Sequence, residues 1–166
     1  MRLRPFISGC DFNEIKNWIS NERTHAMWCA NLFKYPIEKE NFEHVILEEA
    51  AMNGDSPYVA TTNTGKVIGF FCYSVNLSTN EGMLKFVMVH PSKRGKGLGK
   101  EMLQLAIEYA FNITKVDAVQ LNVFPENTMA KKCYESVGFV ERKTDVGVFR
   151  FKDESWGRCN MVIKKK

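Results

Sequence analysis

The sequence predicts an α/β (α+β) fold: a central mixed sheet of about seven strands, mostly antiparallel with one parallel pair, and about four helices. Three observations carry this. First, Met83 to Lys100, MLKFVMVHPSKRGKGLGK, is an apolar β-branched and aromatic run that breaks at His90-Pro91, turns glycine-rich, and opens an amphipathic segment, which reads strand, turn, helix. Second, another apolar run, Val116 to Phe124, follows that helix, so the chain crosses back and this strand lies parallel to Phe86–His90. Third, the remaining apolar runs are joined by short polar turns, the signature of hairpins. With 166 residues, 45% hydrophobic and 12% aromatic, and no linker-like stretch, the chain is expected to form one domain over residues 1–166.

The elements follow in order. Leu3 to Ile7 reads as a first strand, its Pro5 suiting a sheet edge. Asp11 is a helix N-cap candidate, and Phe12, Ile15, Trp18 and Ile19 share one face of a helix ending near Asn21. His25 to Pro36, rich in aromatics (Trp28, Phe33, Tyr35), reads as irregular. A second helix is expected from Ile37 to about Met52, with Phe42, Val45, Ile46 and Glu49 on its turns. Asn53-Gly-Asp-Ser-Pro57 is a turn into a strand Tyr58–Thr62, a hairpin at Thr62–Gly65 and a strand Val67–Val75. Beyond the central strand, Leu98, Met102, Leu105 and Tyr109 mark one face of a helix over Leu98–Phe111. Asn127 opens a last helix, Gly138-Phe139 ends it, and Val140–Phe151 with Trp156–Ile163 forms a closing hairpin around Lys152–Ser155.

Composition excludes several function classes. The net charge of +4 and pI of 8.8 are only mildly basic, and Lys93-Arg94-Lys96-Lys100, Lys131-Lys132 and Lys164–Lys166 are too short and too free of aromatics for a nucleic-acid stripe. No nucleic-acid partner is expected; such a protein would show salt-steep binding to DNA or RNA. Apolar runs far short of the ~20 residues that span a bilayer, and an N-terminus without the apolar region of a signal peptide, lead to the expectation of a cytoplasmic protein without a membrane partner. Five cysteines, without CxxC spacing or a metal-site arrangement with His25, His44 or His90, are expected to be free thiols, and no metal is expected.

The glycine turn carries the chemistry. Gly95, Gly97 and Gly99 let a backbone approach a bulky anion, and the following helix start offers unpaired amides and the positive end of its dipole, so the predicted ligand is a phosphate group. A Walker A loop is excluded, because Arg94 stands where its first Gly is needed and Glu101 where its Ser or Thr is. A dinucleotide fingerprint fits poorly, because the glycines run Gly95, Gly97, Gly99 and the strand lies mid-chain. What does fit is Arg94-Gly95-Lys96-Gly97-Leu98-Gly99, which resembles the R/Q-x-x-G-x-G/A signature of the GCN5-related N-acetyltransferases (GNAT). A second block, Ala118 to Phe139, resembles that family's strand followed by N-x-x-A-x-x-x-Y-x-x-x-G-F, with Asn127, Ala130, Tyr134, Gly138 and Phe139 in matching places. The resemblance covers Val67 to Val140 well. The first helix, with Trp18 and Asn21-Glu22, resembles the branch that acetylates ribosomal-protein and other N-terminal amines.

The resemblance implies a GNAT-like fold whose parallel pair splays apart, and an N-acetyltransferase transferring an acetyl group from acetyl-coenzyme A to a primary amine of a small molecule or protein N-terminus, by direct attack in a ternary complex. It implies that Arg94, Gly95, Lys96, Gly97, Leu98, Gly99 and Lys100 hold the pyrophosphate, with Lys93 or Lys131 as further phosphate candidates. Val87, Met88 and Val89 would pair with the pantetheine arm, and Asn127 would cap its helix or hold the arm. The amide of Met88 or Val89 would stabilise the oxyanion, Tyr134 would protonate the leaving thiolate, and the first two helices and their loop would line the acceptor pocket.

The base is less legible. Where family members carry a catalytic Glu, this chain has Met83 and Asn122, leaving Glu81, Glu22, Glu49, Asp153 and Glu154 as candidates. Freeing a lysine-like amine of pKa ~10.4 at pH 7 costs about 4.6 kcal/mol, whereas an α-amine near 7.8 costs about 1. Cys133 lacks a visible His partner and reads as a small buried hydrophobe. The alternative function is a catalytically weak acyl-coenzyme A binding or sensing module, favoured by the missing Glu and opposed by Tyr134. Homodimerisation is left open.

Overall fold

The computed structural model describes residues 1–165. Its seven-stranded sheet has the order β1-β2-β3-β4-β5-β7-β6, with β1 (Arg2–Pro5), β2 (Ser56–Thr61), β3 (Val67–Asn76), β4 (Glu81–Val89), β5 (Ala118–Val123), β6 (Val140–Phe151) and β7 (Glu154–Lys164). Every neighbouring pair is antiparallel except β4–β5. This is the expected architecture, with Pro5 on an edge strand.

The described residues form five α-helices, one more than expected: α1 (Ser8–Ile15), α2 (Glu22–Cys29), α3 (Lys39–Asn53), α4 (Leu98–Tyr109) and α5 (Thr128–Ser136). The additional one, α2, lies largely in the stretch read as irregular. Asn21 starts it by accepting a hydrogen bond from the Thr24 amide at 2.9 Å, and Ala30 stops it in the left-handed region at φ 49°.

The first helix also begins earlier than Asp11. Ile7 is its N-cap, and Asp11, inside the helix, reaches back to accept from the Ile7 amide at 2.8 Å, an arrangement like half of a capping box. The Arg4 guanidinium grips both Asp11 oxygens at 2.7 Å. Burial alone would raise the Asp11 pKa, but the Arg4 fork and the Ile7 amide more than offset that and hold it below the ordinary carboxylate range.

Two cores sandwich the sheet. On one face α4 and α5 contribute Met102, Leu103, Ala106, Ile107 and Tyr134, packed on Phe71, Tyr73, Leu84 and Leu121. On the other, α1 to α3 contribute Phe12, Ile15, Phe42, Val45 and Ile46, packed on Phe70, Phe86 and Met88. Each fully buried large side chain contributes about 1.5–3 kcal/mol, so both faces are needed to hold a central strand in place.

β4 belongs to both cores through an irregularity absent from its sequence pattern. Alternation would put Leu84, Phe86 and Met88 on one face. Instead the register with β3 shifts between Phe70↔Met88 and Cys72↔Lys85, and Phe86 adopts φ +52°. This β-bulge sets Lys85 and Phe86 consecutively on the α3 side, moving Phe86 and Met88 to the second core and leaving Leu84 in the first.

The bulge also settles the parallel register. Glu81↔Ala118 through Leu84↔Leu121 are paired, and pairing stops there. The parallel partner of β5 is therefore Glu81–Leu84, not Phe86–His90 as the sequence suggested, because the bulge twists β4 away directly after Leu84. Among the described residues no helix is long and apolar enough to cross a membrane.

Candidate active site

Past Leu84 and Leu121 the two strands leave a gap that opens into a cleft of about 600 Å³. Its β4 wall carries backbone groups without a strand partner. The His90 amide donates to Ile68 O at 3.0 Å, and alternation along the antiparallel ladder then turns Met88, opposite Phe70, toward β3 as well. Val87 and Val89 are left facing the gap. Arg94 Nε donates to Val89 O at 3.2 Å from that side. All three candidates of the central strand line the cleft, but of the two amides named for the oxyanion, Val89 rather than Met88 faces it.

At the mouth of the gap His90-Pro91 ends β4, and Gly95 and Gly97 adopt φ +71° and +78°, the left-handed backbone that glycine takes without strain. An added Cβ at either would meet no protein atom within 4 Å, so their bareness faces open space. Gly97 is the N-cap of α4 and brings no side-chain acceptor. The first helical hydrogen bond is Glu101 N–H to Gly97 O at 3.0 Å, so the amides of Leu98, Gly99 and Lys100 have no intrahelical partner. They stand at the positive end of the helix dipole.

A Cβ on Gly99 would sit 3.4 Å from Cys133 Sγ and 3.6 Å from Val89 Cγ2, so a bare Gly99 keeps the mouth open between α4 and α5. Arg94, Gly95, Gly97, Gly99 and Lys100 line the cleft. Lys96 and Leu98 do not: Lys96 is exposed on the turn and Leu98 packs on the first core. Lys131 is ion-paired with Glu141 at 2.8 Å, and its neighbour Lys132 lines the cleft instead.

The opposite wall is α5. Asn127 accepts from the Ala130 amide at 3.3 Å as N-cap and also borders the cleft. Tyr134 lies on the same wall, 8% exposed, with its ring edge-on to Phe139 at 6.1 Å. Its hydroxyl makes no hydrogen bond to another described residue, and burial pushes the phenol pKa up, so it stays protonated. Burial likewise raises the Cys133 thiol, opposed only in part by Lys100.

No described carboxylate lines this cleft. Glu81 is held by Arg142 at 2.8 Å and Gln120 at 2.7 Å, near the far end of β4. Glu22 pairs with Lys152 at 2.9 Å, and Glu154 with Arg23. Glu49 lies 2.7 Å from Lys85 Nζ, which is also 3.0 Å from Asp55; Lys85 itself lines the cleft. At the two family Glu positions, Met83 pairs with Gln120 on β5, and Asn122 borders the cleft, accepting from Asn160 Nδ2 at 3.0 Å.

Beside the cleft lies a second pocket of about 410 Å³, lined by Glu22, His25, Asn31, Phe33, Lys34, Tyr35 and Phe151. Trp28, stacked on Phe33 at 5.0 Å and 10°, lines the cleft. Here the structure brings together residues the sequence did not single out for chemistry. Cys29 Sγ is 3.5 Å from His25 Nε2, and His25 Nδ1 is 3.4 Å from Asn31 Oδ1, the order nucleophile, base, orienter. Cys29 is nevertheless only 3% exposed, and burial pushes its thiol to about 11, so this arrangement is packing and not a nucleophile.

The model of the Acetyltransferase (GNAT) family matches residues 13–139. Aminoglycoside N(6')-acetyltransferase type 1 of Klebsiella pneumoniae is 26% identical over 146 residues, covering 81% of this chain and 71% of that protein. Spermidine N(1)-acetyltransferase of Vibrio cholerae is 25% identical over 143 residues, covering 85% of this chain and 79% of that protein. A crystal structure of spermidine N-acetyltransferase from Vibrio cholerae in complex with CoA and spermine has a TM-score of 0.81 at 24% identity, covering 98% of this chain and 94% of that one.

Proposed function

The chain belongs to the GNAT acetyltransferase family and is an N-acetyltransferase, and from that premise we propose that it acetylates a small polycationic amine with acetyl-coenzyme A, by direct attack in a ternary complex. One observation carries this reading: the unpaired gap between β4 and β5 opens onto the bare N-terminus of α4, with the Tyr134 hydroxyl on the facing wall.

The residues fit the donor. The amides of Leu98, Gly99 and Lys100, with the Arg94 and Lys100 charges, suit a pyrophosphate. A Cβ at Gly95 or Gly97 would fill the space that supports this fit. Val87 and Val89 offer the amide arm strand-like hydrogen bonds that β5 no longer supplies. The bound donor supplies the thioester carbon that the amine attacks.

Val89 N–H is placed to donate to the acyl oxygen as charge develops there. Tyr134, kept neutral by burial, holds a proton for the departing sulfur. With no carboxylate among the described residues lining the cleft, the amine's proton leaves through water, which favours an acceptor whose amine pKa is already lowered by neighbouring cationic groups, as in a polyamine or aminoglycoside. The second pocket, lined by Phe33, Tyr35 and Phe151 beside Glu22 and Lys34, offers the cationic groups of such an acceptor aromatic faces. The names of the relatives support the same class.

The test is thiol release from acetyl-coenzyme A across spermidine, an aminoglycoside and a peptide with a free α-amine. Turnover with one of the two polycations above the peptide supports the assignment. Turnover with the peptide alone would replace the acceptor class, and thiol release with none of the three would refute the reading.

A further inference from the structure

We propose that Trp28 is a positioning residue for the acetyl transfer: its indole N–H holds the Phe86 carbonyl and, through the bulge there, directs the backbone groups of Val87 and Val89 into the cleft. The inference rests on the reading of those two residues as the donor's partners.

Left-handed backbone at φ +52° is unfavourable for a residue as bulky as Phe86, so something must hold it. The hydrogen bond from Trp28 Nε1 to Phe86 O, at 2.8 Å, does so across 58 residues of sequence. Without it, that carbonyl would lack a partner, because β5 has already diverged.

The indole itself cannot turn away. It stacks on Phe33 at 5.0 Å, Phe33 stacks on Phe42 at 4.9 Å, and the Phe86 ring stands edge-on to both Trp28 and Phe33, at 6.0 and 5.0 Å. A rigid aromatic stack on α2 and α3 is thereby tied by one donor to one carbonyl of the central strand.

The consequence for chemistry follows from strand geometry. A strand presents its backbone groups alternately to its two neighbours, so smoothing out the bulge, with Phe86 kept in regular alternation after Lys85, would exchange the two sets for the residues that follow. Met88 would then face the gap, and Val87 and Val89 would face β3. The bulge decides which amides the donor meets, and Trp28 secures the bulge.

The test replaces Trp28 with β-(3-benzothienyl)alanine, which keeps ring shape and loses only the N–H; 5-fluorotryptophan, which keeps the N–H, is the control. The expected result is a fall in kcat of about tenfold or more, below the ~10²–10³ lost when an oxyanion donor is itself removed. The KM for acetyl-coenzyme A should rise by less than kcat falls, because the α4 amides proposed for the pyrophosphate are untouched while the Val87 and Val89 contacts to the arm are loosened, and the pH profile should keep its shape. The fluorinated variant should retain wild-type kcat.

A second readout does not depend on turnover. In the free protein, NMR hydrogen exchange at the Met88 and His90 amides, which face β3 only while the bulge holds, should accelerate in the benzothienyl variant and not in the fluorinated one. Unchanged exchange, or changed exchange with kcat within about threefold of wild type, overturns the proposal. A wild-type protein that releases no thiol refutes the proposed function, and the exchange measurement then decides on its own whether Trp28 holds the bulge.

Discussion

Tyr134→Phe removes one hydroxyl and nothing else, and the structure separates its effects on stability and on rate. The hydroxyl has no hydrogen-bond partner among the described residues, so its loss strands no buried donor or acceptor, and the ring keeps its packing against Phe139. The stability change should therefore stay within about 0.5 kcal/mol, well under the ~1–3 kcal/mol that follows from leaving a partner unsatisfied. Rate should behave differently, since loss of general-acid assistance typically costs ~10²–10⁴-fold. Burial raises the phenol pKa above its usual ~10, so the proton is present throughout the neutral and mildly alkaline range, and wild-type kcat should show no alkaline limb from this group below about pH 10. The assay is steady-state thiol release with the best acceptor from pH 6 to 9, beside coenzyme A affinity by calorimetry and a urea melt. A kcat within about threefold of wild type across that range would mean that Tyr134 only packs. A coenzyme A affinity falling in step with kcat would mean that it binds rather than transfers a proton.

Gly97→Val forces a β-branched residue into φ +78°, costing about 1–2 kcal/mol of stability, and places a side chain where the phosphates are proposed to sit; the coenzyme A dissociation constant should rise at least about tenfold by calorimetry while circular dichroism stays native-like. Asp11→Ala should cost ~2–3 kcal/mol in urea unfolding, since it strips Arg4 of its partner and leaves the Ile7 amide unmet. Because the Asp11 pKa is lowered in the fold, its contribution is present above the unfolded value near ~3.9 and is lost as pH falls through the folded value, so the gap between wild type and variant should narrow only in strong acid. Lys85→Met leaves Glu49 and Asp55 without their shared cation beside the second core, at a cost of about 3–5 kcal/mol. The Glu49 pKa, which the Lys85 hydrogen bond and charge bring below normal against the opposing effect of burial, should rise in that variant by carboxyl titration.

What the sequence by itself determined is local. The strand, glycine turn and helix from Met83 were legible because Gly95 and Gly97 are the residues that take left-handed backbone freely, and a helix start without a side-chain cap advertises free amides. Asn127 as N-cap and the β6–β7 hairpin were legible for the same reason: each is set by contacts a few residues apart. The family motif placed Tyr134, and the helical spacing of Asn127, Ala130 and Tyr134 set them together on the wall that borders the cleft.

The tertiary structure decided what depends on distant partners. Asp11 reads as an N-cap until Arg4 and the Ile7 amide claim its carboxylate from inside the helix. Lys131 and Lys132 are equivalent in sequence, but the one facing Glu141 is neutralised and the other reaches the cleft. The β4 bulge is the clearest case. A phenylalanine at positive φ carries no local signal, because glycine or asparagine is what such backbone ordinarily attracts. Its support is the Trp28 indole and the Phe33–Phe42 stack, contacts made only once α2 and α3 have packed on the sheet. That packing ends the parallel pairing at Leu84, opens the gap, and selects Val87 and Val89 over Met88 to face it, since a strand offers each neighbour only alternate residues and the bulge breaks that alternation at Phe86.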